Sequence, residues 1–351
     1  MKDFSAILSD WYLKNRRDLP WRSLSDPYPI WLCEIILQQT RVEQGLPYWN
    51  RFLEVFPSII DLANAEEAQI LRLWQGLGYY SRARNLHTAA QEVVHLHKGK
   101  FPSDYDSIRS LKGVGDYTAA AIASFAFNLP YAVVDGNVYR FLARYFGIAT
   151  PIDSSAGKKE FAMLAQKLLN KRHPGIHNQA MMEMGATICK PAAPLCSECP
   201  FASSCYSLET KEVTTLPVKT KTVKVTNRYF QFVLIHTKKQ VLIKRRGSND
   251  IWQGLYDFPL IETTKLVPVE EVVQSNLIAE LAGKNFKLRR KSSTIKHQLS
   301  HQTIYSVFYW IEVNRFPKSV AESPYLKVAF SKIDNYGMPQ LIVKYLKQNE
   351  D

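Results

Sequence analysis

Apolar residues recur at helical spacing from residue 3 to about 205. Stretches with that period predict helices over 3–15, 30–39, 45–55, 65–75, 82–97, 116–127, 137–146, 157–170 and 177–188. Short loops join them, and no alternating strand pattern interrupts the series. The period changes after LPVKTKTVKVTNR (216–228), whose repeated charges and low apolar content suit an exposed connector. Beyond it, RYFQFVLIHT and QVLIKRR, separated by a turn, predict a hairpin. A helix near 268–282, strand-like runs at 303–313 and 325–330, and a helix at 338–347 complete the chain. The pattern predicts a multidomain protein, with an all-α domain over 1–210, a connector over 211–228 and an α+β domain over 229–351.

Composition narrows the partners. Lys and Arg outnumber Asp and Glu by 45 to 32 in 351 residues, a formal charge of +13, which favours a polyanion and nucleic acid first. The N-terminal MKDFSAILSDWYLK lacks a signal-peptide profile, and no unbroken apolar run reaches about 20 residues, so a soluble intracellular protein is expected. Of the five cysteines, Cys189, Cys196, Cys199 and Cys205 fall within one short stretch, which predicts a metal site rather than a distributed disulfide framework. Their spacing leaves zinc and iron–sulfur both open.

Three further features carry chemistry. In LKGVGDYTAAAIASF (111–125), Gly113 and Gly115 make a turn whose bare N–H groups, backed by the positive end of a helix, suit a phosphate oxygen; a plain helix connection is the alternative. Glu34 has Ile30, Trp31, Leu37 and Gln38 as its neighbours at helical spacing, a largely apolar face. Desolvation there raises a carboxyl pKa toward that of a general acid, unless Arg22 or Arg41 neutralises it. Asp135, in VVDGN, stands where a helix N-cap belongs.

LKGVGDYTAAAI resembles the helix-hairpin-helix motif (about 109–127) of the helix-hairpin-helix base-excision DNA glycosylases, and VVDGNVYR (133–140) resembles their catalytic-aspartate segment. RDLPWR (17–22), EIILQQTRVE (34–43) and WQGLGYYSRARNLH (74–87) resemble the adenine DNA glycosylase branch, which excises adenine mispaired with 8-oxoguanine. The resemblance spans nearly the whole chain, most strongly over 10–205. It implies that Gly113, Val114 and Gly115, with Lys112 beside them, grip the DNA backbone. Glu34 would protonate adenine at N7 and then activate water, Asp135 would stabilise the oxocarbenium-like sugar and bond to it transiently, and Tyr117 and Asn137 would orient the pair. Related glycosylase/lyases hold a lysine where this chain has Tyr117, so base excision without strand cleavage is expected.

The same resemblance places Arg17, Trp21, Arg22 and Glu183 in the adenine pocket, Gln39 and Tyr79 beside 8-oxoguanine, and Thr40 among the DNA-binding residues. It makes the C-terminal domain Nudix-like, with Ser300 and His301 matching a Phe-Ser-His recognition loop in which Leu299 replaces the aromatic. The acidic box of a true Nudix hydrolase does not follow WQGLYDFPL (252–260), so fold likeness does not bring hydrolase activity with it. The cysteine spacing matches the endonuclease III type of site, which implies one [4Fe–4S] cluster in a loop over 189–205 that rests on DNA near Lys190. The expected partner is duplex DNA containing A:8-oxoguanine or A:G, bound by a monomer with no membrane contact, in the cytoplasm at a bacterial nucleoid. Competing readings are an endonuclease III-like lyase, a noncatalytic damage-binding protein and a nucleotide pyrophosphohydrolase.

Overall fold

The computed structural model describes residues 2–220 and 225–349. They form two compact units, 2–64 with 85–220, and 65–84 with 225–349. The helices of the N-terminal part are α1 (Lys2–Asn15), α2 (Pro27–Leu37), α3 (Val42–Val55), α4 (Ile59–Asn64), α5 (Glu67–Leu73), α6 (Ser81–His97), α7 (Tyr105–Ser110), α8 (Asp116–Phe127), α9 (Gly136–Phe146), α10 (Ser155–Leu168), α11 (Pro174–Glu183) and α12 (Tyr206–Glu209). α4, α7 and α12 lie where the periodicity predicted nothing, because so short a helix gives little period to read. α7 is nonetheless well started: the Asp104 carboxylate accepts the Ser107 N–H at 2.9 Å.

The Ala-rich α8 owes its composition to its position. Thr118 to Ser124 are all buried, and α2, α7 and α11 pack around them, which only small side chains permit. A Cβ on Gly175 of α11 would fall 2.7 Å from the Ser124 carbonyl oxygen, and one on Gly185 would fall 2.5 Å from that of Asn137. The second contact presses the end of α11 against the start of α9. After Glu183 the chain makes one π turn over Met184–Ile188, closed by the Cys189 N–H donating to the Met184 carbonyl at 2.8 Å.

In the second unit the strands are β1 (Thr226–His236), β2 (Gln240–Arg245), β3 (Tyr256–Asp257), β4 (Leu260–Thr263), β5 (Phe286–Lys291), β6 (Ile295–Gln298), β7 (Gln302–Val313) and β8 (Leu326–Ala329). Among the described residues they form one mixed sheet with the core order β3-β2-β1-β7-β5. β1 and β7 run parallel at its centre, from Thr226 opposite Gln302 to His236 opposite Glu312. Burial on both faces explains their continuous apolar runs. The predicted hairpin forms as β1 and β2, with His236 opposite Val241. The helix expected over 268–282 is two, α13 (Val269–Val273) and α14 (Asn276–Leu281), because Ser275 leaves the helix to cap the second. α13 and α14 cover one face of the sheet through Val272, Ile278 and Leu281. On the other face, Tyr345 of α15 (Gln340–Lys347) stacks on Phe308 at 3.8 Å.

Residues 65–84, which the periodicity placed with the helical series, pack in this unit. Arg245 pairs with Glu67 at 2.6 Å, Arg84 donates to the Gln253 carbonyl at 2.9 Å, and Gln75 accepts the Met338 N–H at 3.0 Å. Among the described residues no helix is long and apolar enough to cross a membrane.

Candidate active site

In the helical unit one cavity of about 450 Å³ is lined by Arg17, Trp21, Arg22, Glu34, Thr40, Tyr117, Asp135, Asn137, Arg140 and Glu183. Most of the residues singled out in this part of the sequence therefore meet in one place, drawn from α2, α8, α9 with its cap, α11 and the loops on either side of α2. Trp21 is held there edge-on to Trp49, with ring centroids 5.6 Å apart.

Glu34 sits in the middle of α2 among Ile30 to Ile36, all buried, and is itself 8% exposed. Burial pushes its pKa up to about 7; a hydrogen bond from the Tyr117 hydroxyl to Oε2, 2.7 Å long, opposes the rise, and the nearby Asp135 adds to it. Neither Arg22 nor Arg41 forms an ion pair with it among the described residues. Arg22 is directed to Glu183 instead.

Glu183 is the electrostatic opposite. Burial alone would raise its pKa, but Arg17 and Arg22 outweigh that and bring it down to about 2. Its Oε1 accepts the Arg17 backbone N–H at 3.0 Å and Nε at 2.9 Å, and its Oε2 accepts Arg17 Nη2 at 2.8 Å and Arg22 Nη2 at 2.5 Å. Two buried carboxyls thus share a cavity with pKa values held far apart, one suited to carry a proton near neutrality and the other a fixed anion.

Asp135 is the N-cap of α9. Oδ1 accepts the backbone N–H groups of Asn137 and Val138 at 2.9 and 2.8 Å, and Oδ2 accepts the Asn137 side chain at 2.7 Å. Burial raises its pKa, and these donors with the Arg140 charge oppose the rise. Arg140, not singled out in the sequence, fixes the Asn137 amide: its Nη2 donates to Asn137 Oδ1 at 2.8 Å and to the Gly185 carbonyl at 2.6 Å, while Nε donates to the Cys189 carbonyl at 2.6 Å. Its spacing of three from Asn137 on α9 was the available signal.

The glycine turn lies between α7 and α8. Gly113 has φ +77°, and a Cβ there would fall 2.7 Å from that of Asn85 on α6, so both conformation and space require glycine. Val114 is buried, Gly115 caps α8 with open space around it, and Arg109 pairs with Asp116 across the turn. Gln39, in the loop after α2, is exposed with φ 55°, a left-handed conformation uncommon for a residue with a side chain.

All four clustered cysteines are free and line one apolar cavity with Phe141, Ile188, Leu195 and Phe201. Burial, with the other three thiols around it, pushes Cys199 up to about 11. Four cysteines lining one apolar cavity are a soft donor set of the kind a thiophilic metal centre takes as thiolates, so the residue types fit such a group. Among the described residues no three His, Cys, Asp or Glu side chains are arranged to hold a metal ion. Arg144, 3% exposed and also missed in the sequence, fastens this loop: it donates to the carbonyls of Lys190, Pro191 and Leu216 at 2.7 to 3.0 Å, and to Cys189 Sγ at 3.5 Å.

In the sheet unit, Leu299, Ser300 and His301 form the turn from β6 to β7, closed by the Leu299 N–H donating to the Gln302 carbonyl at 2.8 Å. Ser300 and His301 are exposed and line a cavity of about 470 Å³ with Tyr79, Arg84 and Trp252. The Tyr79 hydroxyl bonds to Ser300 Oγ, and Tyr79 has φ 47°. Leu299 lines the same cavity as buried Trp252.

Residues 32–171 match the HhH-GPD superfamily base excision DNA repair proteins, and residues 231–348 match the NUDIX domain. The adenine DNA glycosylase of Buchnera aphidicola subsp. Acyrthosiphon pisum (strain APS) is 35% identical over 257 residues, 73% of this chain and 73% of that protein. That of Buchnera aphidicola subsp. Baizongia pistaciae (strain Bp) is 33% identical over 319 residues, 89% and 86% of the two chains. Among solved structures, a thermostable thymine-DNA glycosylase aligns with a TM-score of 0.56 and 30% identity, over 60% of this chain and 96% of that one. A trapped endonuclease III–DNA covalent intermediate shares the fold, with a TM-score of 0.52 and 21% identity over 60% and 97% of the chains.

Proposed function

The chain belongs to the adenine DNA glycosylases of base-excision repair, and from that premise we propose that it hydrolyses the N-glycosidic bond of adenine mispaired with 8-oxoguanine, or with guanine, in duplex DNA. The observation that carries the chemistry is Glu34, a buried carboxyl with a pKa of about 7 in the same cavity as Asp135. The target adenine is extruded from the stack, at a cost of about a few kcal/mol, into that cavity. Tyr117 occupies Oε2 of Glu34, which leaves Oε1 to carry the proton delivered to adenine N7. As the C1′–N9 bond breaks, its electron pair leaves with the base, and the cationic sugar faces Asp135. The Asp135 oxygen bonds to C1′ and is then displaced by water, whose proton Glu34 takes back. Asn137, its amide fixed by Arg140, aims the Asp135 carboxylate.

Arg17, Trp21, Arg22 and Glu183 shape the adenine pocket, with Glu183 a permanent acceptor rather than a second acid. Gln39 and Tyr79 enter the vacated stack, Thr40 contacts DNA from the cavity wall, and Ser300 and His301 contact 8-oxoguanine. Support comes from the exposed left-handed Gln39 and Tyr79, and from the bond between Tyr79 and Ser300. Gly113, Val114 and Gly115 hold a phosphate. With Tyr117 in place of a lysine nucleophile, the strand stays intact.

Cys189, Cys196, Cys199 and Cys205 hold one [4Fe–4S] cluster, which anchors the 189–205 loop and supplies no proton. The spacing Cys189-x6-Cys196-x2-Cys199-x5-Cys205, which matches the endonuclease III type of site, favours it over zinc. Iron with broad absorbance near about 400 nm is expected; zinc without that absorbance contradicts it. The enzyme acts as a monomer in the cytoplasm at the nucleoid.

The test is the pH profile of single-turnover adenine release. Rate should fall as pH rises through about 7, where Glu34 loses its proton, and Glu34→Gln should abolish release. A wild-type rate flat from pH 6 to 9 would remove Glu34 as the acid.

A further inference from the structure

β5 closes one side of the sheet, pairing among the described residues with β7 alone. All its positions from Lys287 to Lys291 are exposed. From Lys284 to Gln298 the chain carries Lys284, Lys287, Arg289, Arg290, Lys291 and Lys296 and no acid. An edge is protected from self-pairing by a bulge or a lysine, and β5 has a bulge between Leu288 and Arg290 as well as this charge. The positive charge exceeds what that protection requires. Glu312 of β7 pairs with Arg289 and lies near Lys287. Arg290 stands opposite Trp310, whose indole N–H donates to the Tyr345 hydroxyl of α15 at 2.7 Å, and the Arg290 charge reaches that hydroxyl. Exposed Lys344 and Lys347 in the last turn of α15 extend the cationic surface on that face.

We propose that the β5–α15 edge is a second, sequence-independent contact surface for the phosphates of duplex DNA, distinct from the turn bearing Ser300 and His301. The turn precedes Gln302 and Arg290 pairs beside Trp310. At about 3.3 Å per residue the edge lies about 26 Å along β7 from the turn, the length of about eight base pairs. This distance rests on the proposed role of the turn; the charge argument does not. The edge would contribute to binding before any mispair is found, and to the salt dependence of that binding.

Binding of the full chain to an undamaged duplex tests it without involving the mispair. Each lost phosphate contact lowers the magnitude of the slope of log affinity against log salt by about 0.9, so K287Q, R290Q and K344Q should each lower it by about that amount, and the triple variant by about 2.7. Single-turnover adenine release at saturating enzyme should be unchanged. On an A:8-oxoguanine duplex extending fewer than about eight base pairs past the mispair on each side, wild type and triple variant should bind alike. An unchanged slope on the undamaged duplex overturns the proposal, even if the variants aggregate, since aggregation alone marks a merely protected edge. A difference that persists on the short duplex overturns the placement.

Discussion

Replacing Glu34 by glutamine should stabilise the protein while abolishing its activity. The amide oxygen still accepts the Tyr117 hydroxyl, but the carboxyl is gone from the apolar wall of α2. The folded-state pKa is about 7 against an ordinary 4.5, so between those values the folded state binds more protons than the unfolded one. Stability therefore falls as pH rises through that window, and the cost is fully present above pH 7. A shift of this size costs about 3 kcal/mol at pH 8 and about 1 kcal/mol at pH 5, so Glu34→Gln should gain about 2 kcal/mol relative to wild type between the two. Urea denaturation of both proteins at pH 5 and pH 8, followed by helical circular dichroism, measures it. A variant whose relative stability is the same at both pH values would refute the claim that burial destabilises the Glu34 carboxylate.

Three further outcomes follow from named contacts. Tyr117→Phe removes a bond that lowers the Glu34 pKa, so the descending limb of the rate profile should move above pH 7; a downward move would contradict the geometry. Glu183→Gln leaves Arg17 and Arg22 without their shared anion and should cost about 3 kcal/mol or more in thermal or chemical unfolding, with excision weakened and the limb still near pH 7. Gly113→Ala forces a side chain into φ +77° and against Asn85, which should cost at least about 1 kcal/mol in stability and weaken duplex binding in a titration.

Local spacing carried the readings that held best. Glu34 among apolar neighbours and Asp135 ahead of a helix were legible because a helix brings residues three and four apart together. Glu183 with Arg17 and Arg22 was not, since those partners lie more than 160 positions away in sequence. They were reachable only through family resemblance. Arg140 and Arg144 were missed because a helical arginine ordinarily reads as solvated, whereas here their partners are backbone carbonyls of a later loop. β3 to β6 are short or polar enough to leave no alternation, and they take their form from pairing with β1, β2 and β7. Residues 65–84 read as one more helix and a loop, yet Arg245 and Gln253, far along the chain, hold them with the sheet.

Release of free adenine, followed in single turnover on A:8-oxoguanine, A:G and A:T duplexes with and without later alkali, tests the central claim most directly. The account predicts release opposite 8-oxoguanine and guanine, little opposite thymine, and strand breaks only after alkali. Adenine left in place opposite 8-oxoguanine would contradict it.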